Sequence, residues 1–292
     1  MRQGTLIRGV GSFYTVVDAS GDQYTLRCKK KFRRMHMSPL VGDEVLFTPG
    51  EGEEHGWLEE ILPRKSECLR PPVANVQYLL IVVAPAPEPD LLLVDRIMVR
   101  ARMQGMDIAL VTNKCDLDAS LSDRLRAQYR ACGVRVFAVS AVTGEGLDAL
   151  RDAMRGRLCC LTGQSGVGKS TLLGAVLGME LETGELSERI QRGKNTTRHA
   201  ELLMKDGLRV LDTAGFSLLE LDGTMEPVTL KDYYPEFAIH EGRCRFQPCY
   251  HDREPGCSVT AACEAGQIDP LRLQRYRSLL SDVREAWRNR YD

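Results

Sequence analysis

This 292-residue sequence has neither a long hydrophobic run nor a large net charge. No apolar segment is long enough to cross a membrane, and none near the start resembles a secretory signal, so we expect a cytoplasmic protein without membrane contact. The formal net charge of −1 excludes a general electrostatic attraction to nucleic acid, and any basic surface must therefore be local. The length leaves room for two or three domains.

Ten cysteines without a secretory signal indicate reduced thiols and a metal site rather than a disulfide framework. Three of them combine with a histidine in a Cys-x₄-Cys-x-His-x₅-Cys pattern formed by Cys244, Cys249, His251 and Cys257. A Cys₃His set is typical of one structural zinc ion with no open coordination position. The alternative is four buried or free side chains. Cys263 is interpreted as a small buried residue outside the metal set.

The first sixty residues predict a small β-barrel. Five short β-like segments, at residues 5–8, 13–17, 23–27, 44–48 and 56–61, are separated by turn signals. Five strands in this length favour an OB-fold. Residues 64–72, which end in two prolines, are predicted to be a linker.

A strongly basic stretch follows the third predicted strand. Six of the eight residues at positions 27–34 are Lys or Arg, and such a loop attracts phosphates. A solvated basic loop is the alternative, but on an OB-like barrel RNA binding is favoured. Phe13, Tyr14 and Phe32 are able to stack on bases or to belong to the core, and the sequence leaves this open.

The centre of the chain predicts a doubly wound α/β sheet. Buried strands at 76–84, 107–112 and 134–139 alternate with helices at 90–104 and 120–131. Ligands of such sheets bind at the carboxyl ends of the strands.

A phosphate loop follows a further strand at 158–161 and precedes a helix that ends at Gly178. This context of strand, loop and helix is what the GxxxxGK[ST] pattern requires, and a chance glycine-rich turn is the alternative. We expect Lys169 to contact the β- and γ-phosphates and Ser170 to bind Mg²⁺. The predicted phosphate-binding residues are Gly163, Gln164, Ser165, Gly166, Val167, Gly168, Lys169, Ser170 and Thr171.

An Asn-Lys-x-Asp motif, typical of guanine recognition, follows the second buried strand as Asn113, Lys114 and Asp116. A carboxylate accepts hydrogen bonds from N1–H and the exocyclic amine of guanine, which adenine does not offer. Ser140 and Ala141 end the next strand, where a backbone N–H commonly meets the guanine O6. An ordinary turn is the alternative, and the accompanying phosphate loop argues against it.

The predicted hydrolytic residues lie downstream of the phosphate loop. Asp212 and Gly215 form an Asp-x-x-Gly segment, which resembles the GTPase segment that holds magnesium through a water and senses the γ-phosphate. Thr196 or Thr197 would be the threonine that meets magnesium, and the pattern favours Thr197. The catalytic set is therefore predicted as Lys169, Thr197, Asp212 and Gly215, with His199 as a further candidate.

The order of these motifs predicts a circular permutation. Asn-Lys-x-Asp precedes the phosphate loop, whereas in an ordinary GTPase it comes after it. The predicted domains are a barrel at 1–66, a permuted GTPase domain at 67–222 and an α-helical zinc-binding domain at 223–292. A final helix at 269–287 and its end carry arginines that are available for phosphates or simply solvated, namely Arg272, Arg275, Arg277, Arg284, Arg288 and Arg290.

Together these features resemble the bacterial ribosome small-subunit-dependent GTPase A family. The resemblance covers essentially the whole chain and includes residues 113–116, 163–170, 196–199, 212–217, 234–237 and 254–257. It implies a GTPase that is stimulated by the small (30S) ribosomal subunit, contacts its rRNA and acts late in its maturation. We also expect a monomer that binds GTP and GDP.

Two positions depart from the family pattern. Asn195 stands where many members carry a histidine, and Ala214 replaces a common proline. Phe216 follows the Asp-x-x-Gly segment, where many GTPases place a glutamine that orients water. Slow intrinsic turnover is therefore expected. The rival hypotheses are an RNA-binding, nucleotide-sensing module with little or no hydrolysis, which Lys169 and Asp212 argue against, and a P-loop ATPase or kinase, which Asp116 argues against.

Overall fold

A computed structural model describes residues 1–29, 32, 37–50, 54–69, 72–180, 200–213 and 224–291. Its N-terminal part is a small closed barrel, as predicted. The five strands are β1 (Arg2–Val10), β2 (Phe13–Asp18), β3 (Gln23–Cys28), β4 (Glu44–Thr48) and β5 (Gly56–Ile61). They pair in the order β1-β2-β3-β5-β4, and β4 pairs back on β1 to close the barrel. Leu6, Val16, Leu26, Phe47 and Leu58 fill its interior and are fully buried.

The structure places two of the three aromatic residues of uncertain role. Phe32 is 3% exposed and belongs to the barrel core, and Tyr14 packs against the same core. Phe13 is only half-buried and lies at the surface. Four of the six basic residues of the stretch, at positions 30, 31, 33 and 34, lie outside the described residues.

The linker prediction for residues 64–72 was wrong. The segment contains β6 (Glu67–Leu69), which pairs with β7 (Pro72–Ala74) in a two-stranded antiparallel sheet. Pro72 is the first residue of its strand, a position where the missing N–H costs nothing. Arg64 anchors the segment to the barrel, because its Nε lies 2.7 Å from Oδ1 of the fully buried Asp43.

The central part is a doubly wound sheet, as predicted. Its elements are β8 (Tyr78–Val83), α1 (Leu91–Met103), β9 (Asp107–Thr112), α2 (Ser120–Gln128), β10 (Arg135–Ala138), α3 (Leu147–Met154), β11 (Leu158–Thr162), α4 (Lys169–Leu177), β12 (Ala200–Lys205) and β13 (Leu208–Thr213). The strand order is β10-β9-β8-β11-β13-β12, parallel except for β12. Alternate residues of β8 face opposite layers, because Leu79 and Ile81 pack with α1 and α2, whereas Leu80 and Val82 pack with α3 and α4.

The order of the strands positions the site. The chain runs outward from β8 to β9 and β10, then returns to place β11 on the other side of β8. The crevice at the carboxyl ends of β8 and β11 is thus a topological switch point, where doubly wound sheets bind ligands. The barrel joins the lateral edge of this sheet that β12 forms, since β1 pairs with β12 at Arg8 and Glu201.

The C-terminal part is a helical unit packed against α1. It contains a 3₁₀ helix at Pro227–Tyr233, α5 (Pro235–Ala238), α6 (Ser258–Glu264), α7 (Pro270–Arg288) and a final 3₁₀ turn at Asn289–Tyr291. Tyr234, Phe237 and Tyr276 form its aromatic centre, and Val99 of α1 belongs to the same core. In the described part of the chain no helix is long and apolar enough to span a membrane.

Two arginines predicted to be available for phosphates instead form ion pairs, Arg272 fully buried and Arg275 half-buried. Arg272 is 2% exposed, is paired with Asp95 of α1, and places its Nε 2.7 Å from Oε1 of Glu236. Arg275 lies one helical turn further on and places its Nε 2.7 Å from Oδ2 of Asp95. Both face α1 because residues three apart share one side of a helix.

Candidate nucleotide site and metal centre

The loop between β11 and α4 has the tight backbone that the phosphate-loop pattern requires. Gly163 has φ 137°, and a Cβ there would lie 2.1 Å from the carbonyl oxygen of Val82. Gly168 has φ 87° and lies directly before α4, and a Cβ there would lie 2.6 Å from Nδ2 of Asn113. Both positions therefore require glycine. The N-terminus of α4 points its free N–H groups and dipole toward this loop, as in anion sites.

Lys169 is held inside the loop. Its Nζ donates hydrogen bonds to the carbonyl oxygens of Gly163 at 2.9 Å and Gln164 at 2.6 Å. Burial lowers the pKa of Lys169, because the charged ammonium group loses solvent. An anionic ligand would compensate this loss, so the lysine fits a phosphate contact.

Asn113 joins the predicted guanine and phosphate motifs. Its side chain is almost fully buried, and its Nδ2 donates to the carbonyl oxygen of Val167 at 2.9 Å. Its Oδ1 accepts the backbone N–H of Ala141 at 3.2 Å. One amide therefore ties three segments, from β9, β10 and the phosphate loop, into one site.

Lys114 provides a second link. It adopts a left-handed backbone conformation with φ 61°, and its Nζ donates to the carbonyl oxygens of Ala86 at 2.7 Å and Gly166 at 2.9 Å. Asp116 is exposed at the same edge of the sheet, whereas Ser140 is fully buried and accepts the Thr143 N–H at 3.1 Å. The carboxylate is thus accessible to a ligand, and Ser140 shapes the adjoining turn.

The predicted hydrolytic residues are only partly described. Ser170 and Thr171 are exposed in the first turn of α4, and Asp212 is half-buried near the end of β13. Ser165 is exposed and Val167 is fully buried within the phosphate loop. Thr197, His199 and Gly215 lie outside the described residues, together with Asn195, Thr196, Ala214 and Phe216.

Sequence reasoning missed a further wall of the site, the segment at 84–90 after β8. Oε1 of Gln164 accepts the backbone N–H of Asp90 at 2.9 Å, and its Nε2 donates to the carbonyl oxygen of Glu88 at 3.2 Å. The Gln164 side chain thus ties the phosphate loop to the start of α1. Three prolines after a buried strand, at 85, 87 and 89, were the available signal for a defined loop.

The predicted metal ligands converge in the C-terminal part. The ligand atoms of Cys244, Cys249, His251 and Cys257 all lie within 4.8 Å of one another, and all four residues are buried. Nδ1 of His251 lies 3.4 Å from Sγ of Cys257, while its Nε2 lies 3.3 Å from a carboxylate oxygen of Glu241. A carboxylate on the outer nitrogen is the usual way to orient a histidine ligand.

Hydrogen bonds from residues at the start of α6 support the thiolate ligands. Burial raises the pKa of Cys244, but hydrogen bonds from the hydroxyl and backbone N–H of Ser258 outweigh burial and lower it. Sγ of Cys257 accepts the N–H of Thr260 at 3.5 Å at the start of α6. Three sulfurs and one imidazole nitrogen fit a closed tetrahedral metal site. Cys263 is half-buried and is not one of the four clustered ligands among the described residues.

Comparison with known families agrees with this geometry. The model of the RsgA GTPase family matches residues 61–222, and the model of the RsgA N-terminal domain matches residues 3–58. The chain belongs to the RsgA GTPase family. The first match alone spans more than half of the chain, and the family bears out the resemblance noted from the sequence.

Full-length relatives and solved structures support the membership. Two proteins named small ribosomal subunit biogenesis GTPase RsgA are each 40% identical to this chain. The protein from Ruminiclostridium cellulolyticum aligns over 98% of this chain and 95% of its own length, and that from Geobacillus thermodenitrificans over 98% of both. YjeQ from Thermotoga maritima superposes with a TM-score of 0.84 at 33% identity, covering 97% of this chain and 98% of YjeQ.

A second solved structure confirms the permuted fold. YloQ, described as a circularly permuted GTPase, has a TM-score of 0.80 at 29% identity and covers 98% of this chain and 96% of its own. The predicted combination of barrel, permuted GTPase sheet and C-terminal helices with a Cys/His cluster is therefore correct.

Proposed function

We propose that this protein hydrolyses GTP to GDP and phosphate while bound to the small ribosomal subunit late in its maturation, and that the subunit stimulates hydrolysis. The observation that carries the proposal is the buried Asn113 amide, which joins the guanine motif to the phosphate loop. The names of the relatives support the assignment to the small subunit. We further propose a cytoplasmic monomer with domains at 1–66, 67–222 and 223–292.

Each motif has a separate role in nucleotide binding. Lys169 and the N–H groups at the start of α4 bind the phosphates, with residues 163–171 forming the cradle. Asp116 selects guanine, Lys114 lies beside the base, and the turn at Ser140 and Ala141 borders it. A site built to pair with guanine donors rejects an analogue that lacks them by about 10⁴–10⁵-fold.

Two metals are part of the proposal. Ser170 and Thr197, with Asp212, would hold a magnesium ion that neutralises phosphate charge. Cys244, Cys249, His251 and Cys257 would hold one structural zinc ion, and their thiolate-rich set is typical of this metal. With all four positions filled by the protein, zinc stabilises the C-terminal unit and takes no part in hydrolysis.

Slow intrinsic turnover follows from two positions, one before and one directly after the Asp-x-x-Gly segment. Phe216 is apolar and offers no group that orients a water molecule, and Asn195 replaces a family histidine. Asp212, Gly215 and Thr197 would sense the γ-phosphate, and His199 is our candidate for positioning water. Binding to the subunit would then accelerate hydrolysis.

Single-turnover hydrolysis with and without small subunits tests the proposal. We expect acceleration by the subunit, and equal rates would contradict it. Lys169→Ala should abolish nucleotide binding, because it removes the buried ammonium group of the loop. Competition between GTP and ATP tests the first rival hypothesis, because displacement of bound GTP by ATP would indicate an ATPase. Tight GTP binding without stimulated hydrolysis would instead indicate a sensing module.

A further inference from the structure

An open cavity lies at the amino ends of the central strands, opposite to the nucleotide site. Tyr78, Asp107 and Arg135 are the first residues of β8, β9 and β10. They line a cavity of about 330 Å³ together with Arg102 of α1 and Arg157, which directly precedes β11. The phosphate loop and the guanine motif follow the carboxyl ends of these parallel strands, so the cavity is separate from the nucleotide site.

Positive charge dominates the lining of this cavity. Three arginines face one acid, and Nη1 of Arg157 lies 3.4 Å from Oδ2 of Asp107. Arg102 and Arg135 form no ion pair with any residue that the structure describes. The lining therefore carries a formal charge of +2, and a recess with one sign of charge concentrates ions of the opposite sign.

Two of the guanidinium groups are held by aromatic rings. The guanidinium carbon of Arg135 lies 4.7 Å from the centroid of the Phe137 ring, and that of Arg157 lies 4.7 Å from the centroid of the Tyr78 ring. A ring face attracts a cation through its quadrupole but carries no net charge. Both groups are thus positioned while their charge remains available to an anion.

The third guanidinium group is held by carbonyl oxygens at the junction with the C-terminal unit. Nη1 of Arg102 donates to the carbonyl oxygen of Tyr233 at 2.6 Å, and Nη2 donates to that of Cys132 at 3.2 Å. Pro235 of α5 lines the same cavity. Carbonyl oxygens also leave the positive charge of the arginine uncompensated.

The hydroxyl of Tyr78 adds a polar group without a partner. The residue is 3% exposed, and its hydroxyl forms no hydrogen bond with the part of the chain that the structure describes. Burial raises the pKa of Tyr78, and the positive charges of Arg135 and Arg157 oppose this increase. A buried hydroxyl without a partner is costly, so a ligand that accepts its hydrogen bond would stabilise it.

We propose that this cavity binds a dianionic phosphate group, either inorganic phosphate or the terminal phosphate of a small molecule, through Arg102, Arg135 and Arg157. Guanidinium groups match phosphate oxygens in geometry as well as in charge. A terminal phosphate carries a charge of about −1.5 to −2 at pH 7, which matches the lining. A phosphodiester of RNA carries a single charge and matches it less well. This second site goes beyond the proposed function and does not depend on it.

Titration calorimetry with inorganic phosphate tests the site. The full-length protein is first saturated with Mg²⁺ and a non-hydrolysable GTP analogue, which fills the phosphate loop, and chloride keeps the ionic strength constant. We expect one phosphate to bind per chain. Binding that occurs only without the analogue would place the phosphate in the nucleotide site and overturn the proposal, as would the absence of binding.

Two esters distinguish the sources of the phosphate group. Methyl phosphate represents a terminal phosphate, and dimethyl phosphate represents the RNA backbone. We expect methyl phosphate to bind like inorganic phosphate and dimethyl phosphate to bind at least about tenfold more weakly, because one charge is missing. Equal affinity for the two esters would contradict a site for a dianion.

Substitution of an exposed arginine tests the location of the site. Arg135→Gln should weaken phosphate binding about 10- to 150-fold, the range for one lost hydrogen bond to a charged group. Arg8→Gln, which removes the same charge from the exposed surface of the barrel, is the matched control and should leave the affinity unchanged. Equal losses in the two variants would overturn the site.

Unchanged affinity for the GTP analogue in Arg135→Gln would show that this variant is folded. If it then binds phosphate as tightly as the wild type, Arg135 is not a ligand and the proposal is wrong.

Discussion

The C-terminal part contains two buried polar centres, and they differ in how their residues are brought together. The metal centre draws its four ligands from fourteen consecutive positions, Cys244 to Cys257. The ion cluster draws Arg272 and Arg275 from α7, Glu236 from α5 and Asp95 from α1. The ligands of the metal centre all lie within the C-terminal unit. The ion cluster instead joins this unit to α1 beside the GTPase sheet.

The spacing of residues in the sequence reveals the metal centre but not the ion cluster. Cysteine and histidine at metal-ligand spacing indicate a site because few other structures need that donor set. An arginine on a helix has no such signature, since a solvated arginine and a buried one look alike in sequence. The partner that decides the matter, Asp95, is also the acceptor of the Tyr129 hydroxyl at 2.6 Å and lies far away in the chain.

Removing the metal should have the largest effect. Cys249→Ser, or a strong chelator, should release zinc and unfold the C-terminal unit, because structural zinc contributes about 10–16 kcal/mol apparent in finger peptides. Metal content and circular dichroism measure this. The matched control is Cys263→Ser, which lies outside the cluster and should retain one zinc ion per chain. A Cys249→Ser protein with full metal content would refute the ligand assignment.

Breaking the ion cluster should have the next largest effect. Arg272→Met leaves the buried Glu236 without its arginine and leaves Asp95 with only Arg275 and Tyr129, and the loss of a buried ion-pair partner costs about 3–5 kcal/mol. Denaturant unfolding measures the free energy of unfolding. Arg288→Met, on the exposed side of α7, is the control and should change it by less than about 0.5 kcal/mol. Equal effects of the two substitutions would mean that the cluster contributes nothing to stability.

Removing the uncharged hydrogen-bonded contact between Gln164 and the segment at 84–90 should have the smallest effect. Gln164→Ala removes two hydrogen bonds between the phosphate loop and the segment at 84–90, worth about 1–2 kcal/mol together, or about 5- to 30-fold in GDP affinity. Titration calorimetry with GDP measures this. The exposed Gln267→Ala is the control. Unchanged affinity for Gln164→Ala would show that this contact does not support the site.

The sequence predicted the five barrel strands, most strands and helices of the central sheet and the final long helix, but not the order of the strands. Alternation along the barrel strands and continuous apolar strands in the centre were sufficient for the fold, whereas the contact of Asn113 with the carbonyl oxygen of Val167 was not predicted. Residues 64–72 were misassigned because adjacent prolines suggested a linker, whereas Pro72 begins an edge strand. The side-chain role of Gln164 was missed because its partners depend on how the 84–90 segment folds over the loop.

We propose that this permuted GTPase responds to the small ribosomal subunit. The most direct measurement compares GTP hydrolysis by the protein alone, with purified small subunits and with purified large subunits. We expect marked acceleration by small subunits alone, which Lys169→Ala abolishes. Equal acceleration by both subunits, or none by the small subunit, would contradict it.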